Sequence, residues 1–199
     1  MGLSFHYSGS IANPEFLPKL IEEVLDIAKI YGWKNSIYET SFPNNCLSDT
    51  DEYINEIFGV SFTPPGCETI FICFLSNGRM SSPIHLKFYG KSKDQKENPF
   101  LYLISVKTQF SNPLIHATII QIFKHLNNRY FSDFKLSDEG QYWETDDEEI
   151  LKNNFARYNA ILDSFSLGLE TLPMIANESF EDYFLRLFEL IQKRDRNNQ

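Results

Sequence analysis

No stretch of this 199-residue chain is apolar for the roughly 18 to 20 residues that would span a bilayer. Residues Met1 to Ser10 show no basic start followed by an apolar segment, so an unexported, cytoplasmic protein without membrane association is expected. Myristoylation is excluded as well, because His6 stands where that motif takes Ser or Thr. Cysteine is scarce: Cys46, Cys67 and Cys73 are odd in number and irregular in spacing, as in a reducing compartment. Along one extended strand Cys67 and Cys73 would lie about 20 Å apart, beyond disulfide reach.

Metal-ligand and cofactor spacings are also missing. There is no C-x-x-C, no H-x-x-x-H and no calcium loop. His116 and His125 share a helical stretch, but nine residues amount to two and a half turns at 3.6 residues each, so they point to opposite sides. Gly90-Lys91-Ser92 copies the end of a phosphate loop, yet His85 occupies the place of its first glycine and no apolar helical stripe follows. With no G-x-G-x-x-G either, neither a metal nor a cofactor is expected. Basic residues are the minority, 18 against 27 acids, and the net charge of −9 disfavours a phosphate-neutralising surface, so no nucleic-acid partner is expected.

What is present is apolar and aromatic: 42% apolar residues, 15% aromatic, 18 of them Phe, enough for a folded globular chain. The length fits a single domain over residues 1–199. Leu3, Phe5 and Tyr7 alternate with Ser4, His6 and Ser8, the period of a half-covered strand. Asn13-Pro14 then supplies an N-cap and a first helical residue for a helix bearing Leu20, Ile21, Val24, Ile27 and Tyr31, which Gly32 ends before a return strand over Asn35 to Thr40. The plan recurs 99 residues later: alternating Ile104, Val106, Thr108 and Phe110, then Asn112-Pro113, then a helix with Ile119, Ile120, Phe123, Leu126 and Tyr130, then "FKLSDE". Two βαβ units, 3–40 and 102–139, resemble the ferredoxin-like arrangement, which implies an α+β fold with both helices on one face of an antiparallel sheet.

Between the units, residues 57–90 read as strands joined by turns, with a hairpin at Ser76-Asn77-Gly78. The stretch "IFICFL" is apolar on both faces and therefore needs cover on both. A helical tail over 145–194 is the predicted cover: Thr145 and Glu148 form a capping box, and Asn177 caps the last helix, giving two C-terminal helices over part of the sheet. Phe42 to Glu56 and Gly90 to Pro99 read as excursions.

No catalytic set assembles. Cys67, after the rigid Pro64-Pro65-Gly66 turn, is a weak nucleophile candidate and needs a histidine beside it; His6, Lys107 and Cys67 are the weak catalytic candidates. The outward set Ser4, His6, Ser8, Ser105, Lys107 and Gln109 lacks the aromatic platform of an RNA-reading sheet. One stretch stands out: residues 137–150, "SDEGQYWETDDEEI", hold seven acids and no base. Capping and the helix dipole explain Asp146, Asp147, Glu148 and Glu149, and Trp143 suits a hydrophobic staple. Asp138, Glu139, Tyr142, Trp143 and Glu144 remain as a partner surface for a basic protein. The expected function is that of a non-enzymatic binding protein, an inhibitor, immunity-type or regulatory partner. The alternative is a small enzyme or small-molecule binder with a pocket between sheet and tail helices, using His6, Lys107, Cys67 or the Asp138/Glu139 pair. An assembly protein is the third reading. Oligomeric state is not legible.

Overall fold

The computed structural model describes residues 3–43, 52–92, 94 and 96–197, with side chains to Leu190. Cys46 and most of the Phe42 to Glu56 excursion lie outside the described residues. The chain divides into two compact units, Met1–Lys152 and Asn153–Gln199. Among the described residues the architecture is α+β, with two antiparallel three-stranded sheets and six α-helices.

In the first unit, strand β1 (Ser4–Ile11) buries Phe5 and Tyr7 and turns His6 between them to the other side, as alternation requires. It is a central strand. The edge strands of the same sheet, β5 (Ile104–Lys107) and β6 (Phe131–Asp138), both run antiparallel to it. Helix α3 (Pro113–Tyr130) joins those edges, so β5, α3 and β6 form a βαβ unit split by β1. The first half departs from this pattern. Helix α1 (Leu17–Ile30) leads into β2 (Lys34–Ile37), which pairs with β3 (Phe58–Thr63), and β3 pairs with β4 (Ile70–Phe74) to make the second sheet. The expected hairpin follows β4, and its return arm ties the sheets together: Ile11 N–H donates to the Gly78 carbonyl at 2.9 Å and Met80 N–H to that of Gly9 at 2.8 Å.

Both Asn-Pro signals are real caps. The Asn13 side chain accepts from Glu15 N–H and Asn112 from Ile115 N–H, each at 2.9 Å, and Pro follows both. The two helices are neighbours. Glu23 of α1 accepts from His125 at 2.5 Å, from Arg129 at 2.8 Å and from the Tyr130 hydroxyl, all on α3. Burial pushes the Glu23 carboxyl up, but those donors outweigh it and hold it below its usual range. The Tyr130 phenol is pushed up to about 12 by burial and by Glu23. Beneath them, Phe123 stacks into the β1 aromatics, 5.5 Å from Phe5 and 4.7 Å from Tyr7 by ring centroids.

Several elements differ from the sequence reading. Pro83 to Tyr89 is a helix, α2, and not part of a strand region: Ser82 accepts from His85 N–H and Pro83 follows, the same cap chemistry as at Asn13 and Asn112. Helix α2 and the 3-10 turn Asn98–Leu101 contribute Leu86 and Leu101 to a cluster with Cys73, Leu75 and Ile57, so they supply cover for the second face of β4. Strand β5 ends at Lys107, because Thr108 turns its hydroxyl to His116 and Ser111 N–H closes a turn on the Thr108 carbonyl; Phe110 is left 72% exposed. A short helix, α4 (Tyr142–Thr145), precedes α5 (Glu148–Thr171), and Thr145 does not cap α5: Asp147 does, accepting from Glu149 and Ile150 N–H. An ionised carboxylate two residues nearer is the stronger acceptor there.

Helix α5 continues into the second unit and is followed by α6 (Phe180–Asn197). Phe165 and Phe184 stack 6.2 Å apart, and Arg186 binds Glu178 at 2.7 Å and the Pro173 carbonyl at 3.0 Å. Ser179 rather than Asn177 caps α6, its hydroxyl accepting from Asp182 N–H; Asn177 sits in the left-handed region at φ 69°, away from the extended backbone typical of a side-chain N-cap.

Candidate functional site

The acidic stretch is built around its first acid. Asp138, the last residue of β6, is 5% exposed, and its carboxylate accepts from the backbone N–H of Gly140 at 2.7 Å, Tyr142 at 2.8 Å and Trp143 at 3.1 Å. It also faces His116 Nε2 at 3.0 Å. A carboxylate only accepts, so Nε2 carries a proton, and Nδ1 is left to meet the Thr108 hydroxyl at 2.7 Å. Thr108, His116 and Asp138 are thus one buried chain of polar groups. Burial pushes the Asp138 carboxyl up, but His116 and the amides of Gly140 and Trp143 prevail and hold it below the ordinary aspartate range. Gly140 has no space for a side chain: a Cβ there would lie 3.0 Å from both His116 Nε2 and Asp138 Oδ1.

This lashing decides what the neighbours do. Tyr142 is buried, whereas Trp143 is half-buried, with its ring edge-on to Phe134 of β6 at 5.8 Å. Glu139 is exposed, but its carboxylate accepts from Ser4 N–H at 2.7 Å and closes the end of β1. Glu144 is exposed and receives Asp138 N–H at 3.4 Å. Lys124 of α3 hydrogen-bonds Asp146 at 2.6 Å, which holds that carboxyl below its usual range, and lies 5.6 Å from the Trp143 ring. Lys152 pairs with Glu149 at 2.9 Å. Six carboxylates remain exposed over residues 139–149, against two neighbouring ammonium groups. The result is a fixed acidic shelf with one half-buried indole.

The weak catalytic candidates lie on other surfaces. His6 sits opposite Ser105 and Ser137, and Lys107 opposite Ser4, all on the outward side of the β5-β1-β6 sheet. Gln109 is buried instead, and its amide nitrogen has no partner among the described residues. Cys67 lines a cleft beside Pro64 and Pro65, and no histidine lines it. Burial pushes its thiol up, and a hydrogen bond from Ser111 offsets this only in part. A nucleophile needs the opposite shift. Alkylation by iodoacetamide at neutral pH should therefore be several-fold slower at Cys67 than at a thiol in the unfolded chain, read by mass spectrometry; an equal or faster rate would restore its candidacy.

The helical spacing excludes His116 and His125 as a chelating pair but does not reveal the partners of His116. The signal was available. His116 stands three and four residues before Ile119 and Ile120, on the buried face of α3, where an imidazole requires two hydrogen-bond partners. Among the described residues no group of three or more His, Cys, Asp and Glu side chains has metal-holding geometry, and no helix is long and apolar enough to cross a membrane. No protein-family model, curated protein or solved structure matches this chain.

Proposed function

We propose that the protein is a non-enzymatic binding protein of the cell interior, an inhibitor, immunity-type or regulatory partner, which docks a basic protein on the shelf 139–149. One observation carries this reading: six exposed carboxylates in eleven residues surround a half-buried Trp143, on a turn whose backbone amides are spent on Asp138. Exposed like charges steer an oppositely charged partner and set its on-rate. A pre-shaped turn lowers the ordering cost of binding, and a half-exposed indole is a fitting anchor. The frame fits a duplicated βαβ plan of the ferredoxin-like kind: the paired caps and neighbouring helices support it, and the placement of β2 in the second sheet is its departure.

The test is recovery of partners from the native host with the wild-type chain and with a Trp143→Ala, Glu144→Lys, Glu148→Lys variant of equal stability. The wild type should retain a basic protein that 0.5 M salt releases, because screening shortens the Debye length to below about 5 Å. The variant should bind it at least about tenfold more weakly. Identical partner lists for the two chains would remove the shelf from the function.

A further inference from the structure

The second unit, Asn153–Gln199, leaves more apolar surface open than it closes. Among its described residues three large apolar side chains are buried, Phe155, Tyr183 and Leu187, whereas nine are exposed between Ile161 and Phe188. Its two helices are nonetheless tied at their turn. The Tyr183 hydroxyl donates to the Leu172 carbonyl at 3.0 Å, and Arg186 spans Glu178 at 2.7 Å and the Pro173 carbonyl at 3.0 Å.

Helix α6 shows where the open surface lies. Tyr183 and Leu187, four residues apart, form its buried stripe, and Phe180, Phe184 and Phe188 form the next stripe round the helix, 70%, 39% and 47% exposed. A row of stacked rings runs from Phe165 of α5 through Phe184 to Phe180, so the aromatic surface passes out of the hairpin into solvent. An apolar arc wider than one neighbouring helix covers calls for a second neighbour, which a four-helix bundle supplies.

The open area fits a second copy of the chain. With about 200 Å² per aromatic side chain, the three phenylalanines leave roughly 300 Å² open and the nine exposed side chains together about 800 Å², where each partner of a stable pair buries about 500 to 800 Å². Charge points the same way. Residues 153–199 hold five basic and seven acidic residues, so little of the net −9 lies here, and two copies meet without the repulsion that the acidic shelf would bring. In sequence α6 runs from Glu181-Asp182 to Lys193-Arg194, so an antiparallel pair sets each acidic end against the basic end of the other copy. A two-fold axis then lets one surface serve both chains.

We propose that the second unit is a self-association module: the α6 helices of two copies pack antiparallel through the Phe180, Phe184 and Phe188 stripe, and the two hairpins close into a four-helix bundle. This pairing is separate from the docking of a basic protein on the shelf and stands without it.

Light scattering after size exclusion of the full chain tests it. At about 50 µM the chain should elute at twice the monomer mass, with a dissociation constant below about 10 µM on dilution. Phe180→Glu with Phe188→Glu changes two exposed positions, so it should keep its helix content by circular dichroism and raise that constant at least about hundredfold. Glu181→Lys with Asp182→Lys sets basic ends against basic ends and should raise it at least about fivefold at low salt; no change overturns the antiparallel order. Monomer mass up to about 200 µM overturns the proposal, as does a phenylalanine variant that pairs as tightly as the wild type. Loss of the dimer in Ile84→Glu with Phe88→Glu, two exposed apolar residues of the first unit, places the interface off α6 and overturns it too.

Discussion

Asp138→Ala should lower the stability of the first unit by about 3–5 kcal/mol, the range for removing one partner from a buried hydrogen-bonded charge pair. Urea unfolding followed by tryptophan fluorescence reads this directly, because Trp33 and Trp143 both belong to that unit. The cost has two sources. Alanine strands the N–H groups of Gly140, Tyr142 and Trp143, which have the Asp138 carboxylate as acceptor. It also leaves His116 Nε2 with its proton and no acceptor, inside a face that excludes water. Asp138→Asn keeps the shape and one acceptor oxygen, and should cost less, about 1–3 kcal/mol. If Asp138→Ala unfolds within about 0.5 kcal/mol of the wild type, the turn is not held by this carboxylate.

The same group gives the molecule an acid limit. The folded Asp138 carboxyl lies below its usual range, so its contribution is fully present above the unfolded value, near pH 4, and is lost as pH falls through the lower folded value. Glu23, lowered by its α3 donors, adds to the same slope. Wild-type stability should therefore fall more steeply below about pH 4 than that of Asp138→Asn, in which the titrating group is gone.

Local chemistry was legible where one residue's choice follows from its neighbours. The Asn-Pro caps, the apolar stripes of α1 and α3, the β1 alternation and the hairpin at Asn77-Gly78 each depend on a few adjacent positions, and each formed. The destination of a strand depends on distant partners. Nothing in "NSIYET" reveals that β2 joins β3 instead of the β1 sheet, because its four residues are all exposed and carry no face preference. The same limit governs the acidic stretch. Charge count marked it, but only the fold separates Asp138, committed to His116 and three amides, from Glu144, which faces solvent. Ser82-Pro83 is the opposite case. Its cap signal equals the two that were read, yet a run of β-forming neighbours outweighed it.

Gly59→Ala is the other substitution expected to cost about 3–5 kcal/mol, and the comparison with Gly32→Ala shows why. Gly32 has φ +66° at the end of α1, where Trp33 N–H returns to the Ala28 carbonyl at 2.8 Å, and a Cβ there would meet no atom within 4 Å. Alanine at Gly32 bears only the left-handed strain, about 1–2 kcal/mol. Gly59 has φ +128° inside β3, and a Cβ would lie 2.3 Å from the Ile72 carbonyl oxygen and 3.0 Å from Cys73 Cα. Those are backbone atoms of the paired strand and cannot step aside as a flexible side chain can. Gly59 also donates to the Glu39 carbonyl and accepts from Tyr38 N–H, both at 2.9 Å, so moving β3 away from β4 crowds and distorts its bonds to the residues that follow β2. Relief on one side strains the other. Urea midpoints for the two variants should therefore separate by about 2 kcal/mol or more, with Gly59→Ala the less stable; equal midpoints would mean that β3 and β4 pair more loosely than the register from Phe58↔Phe74 to Phe62↔Ile70 requires.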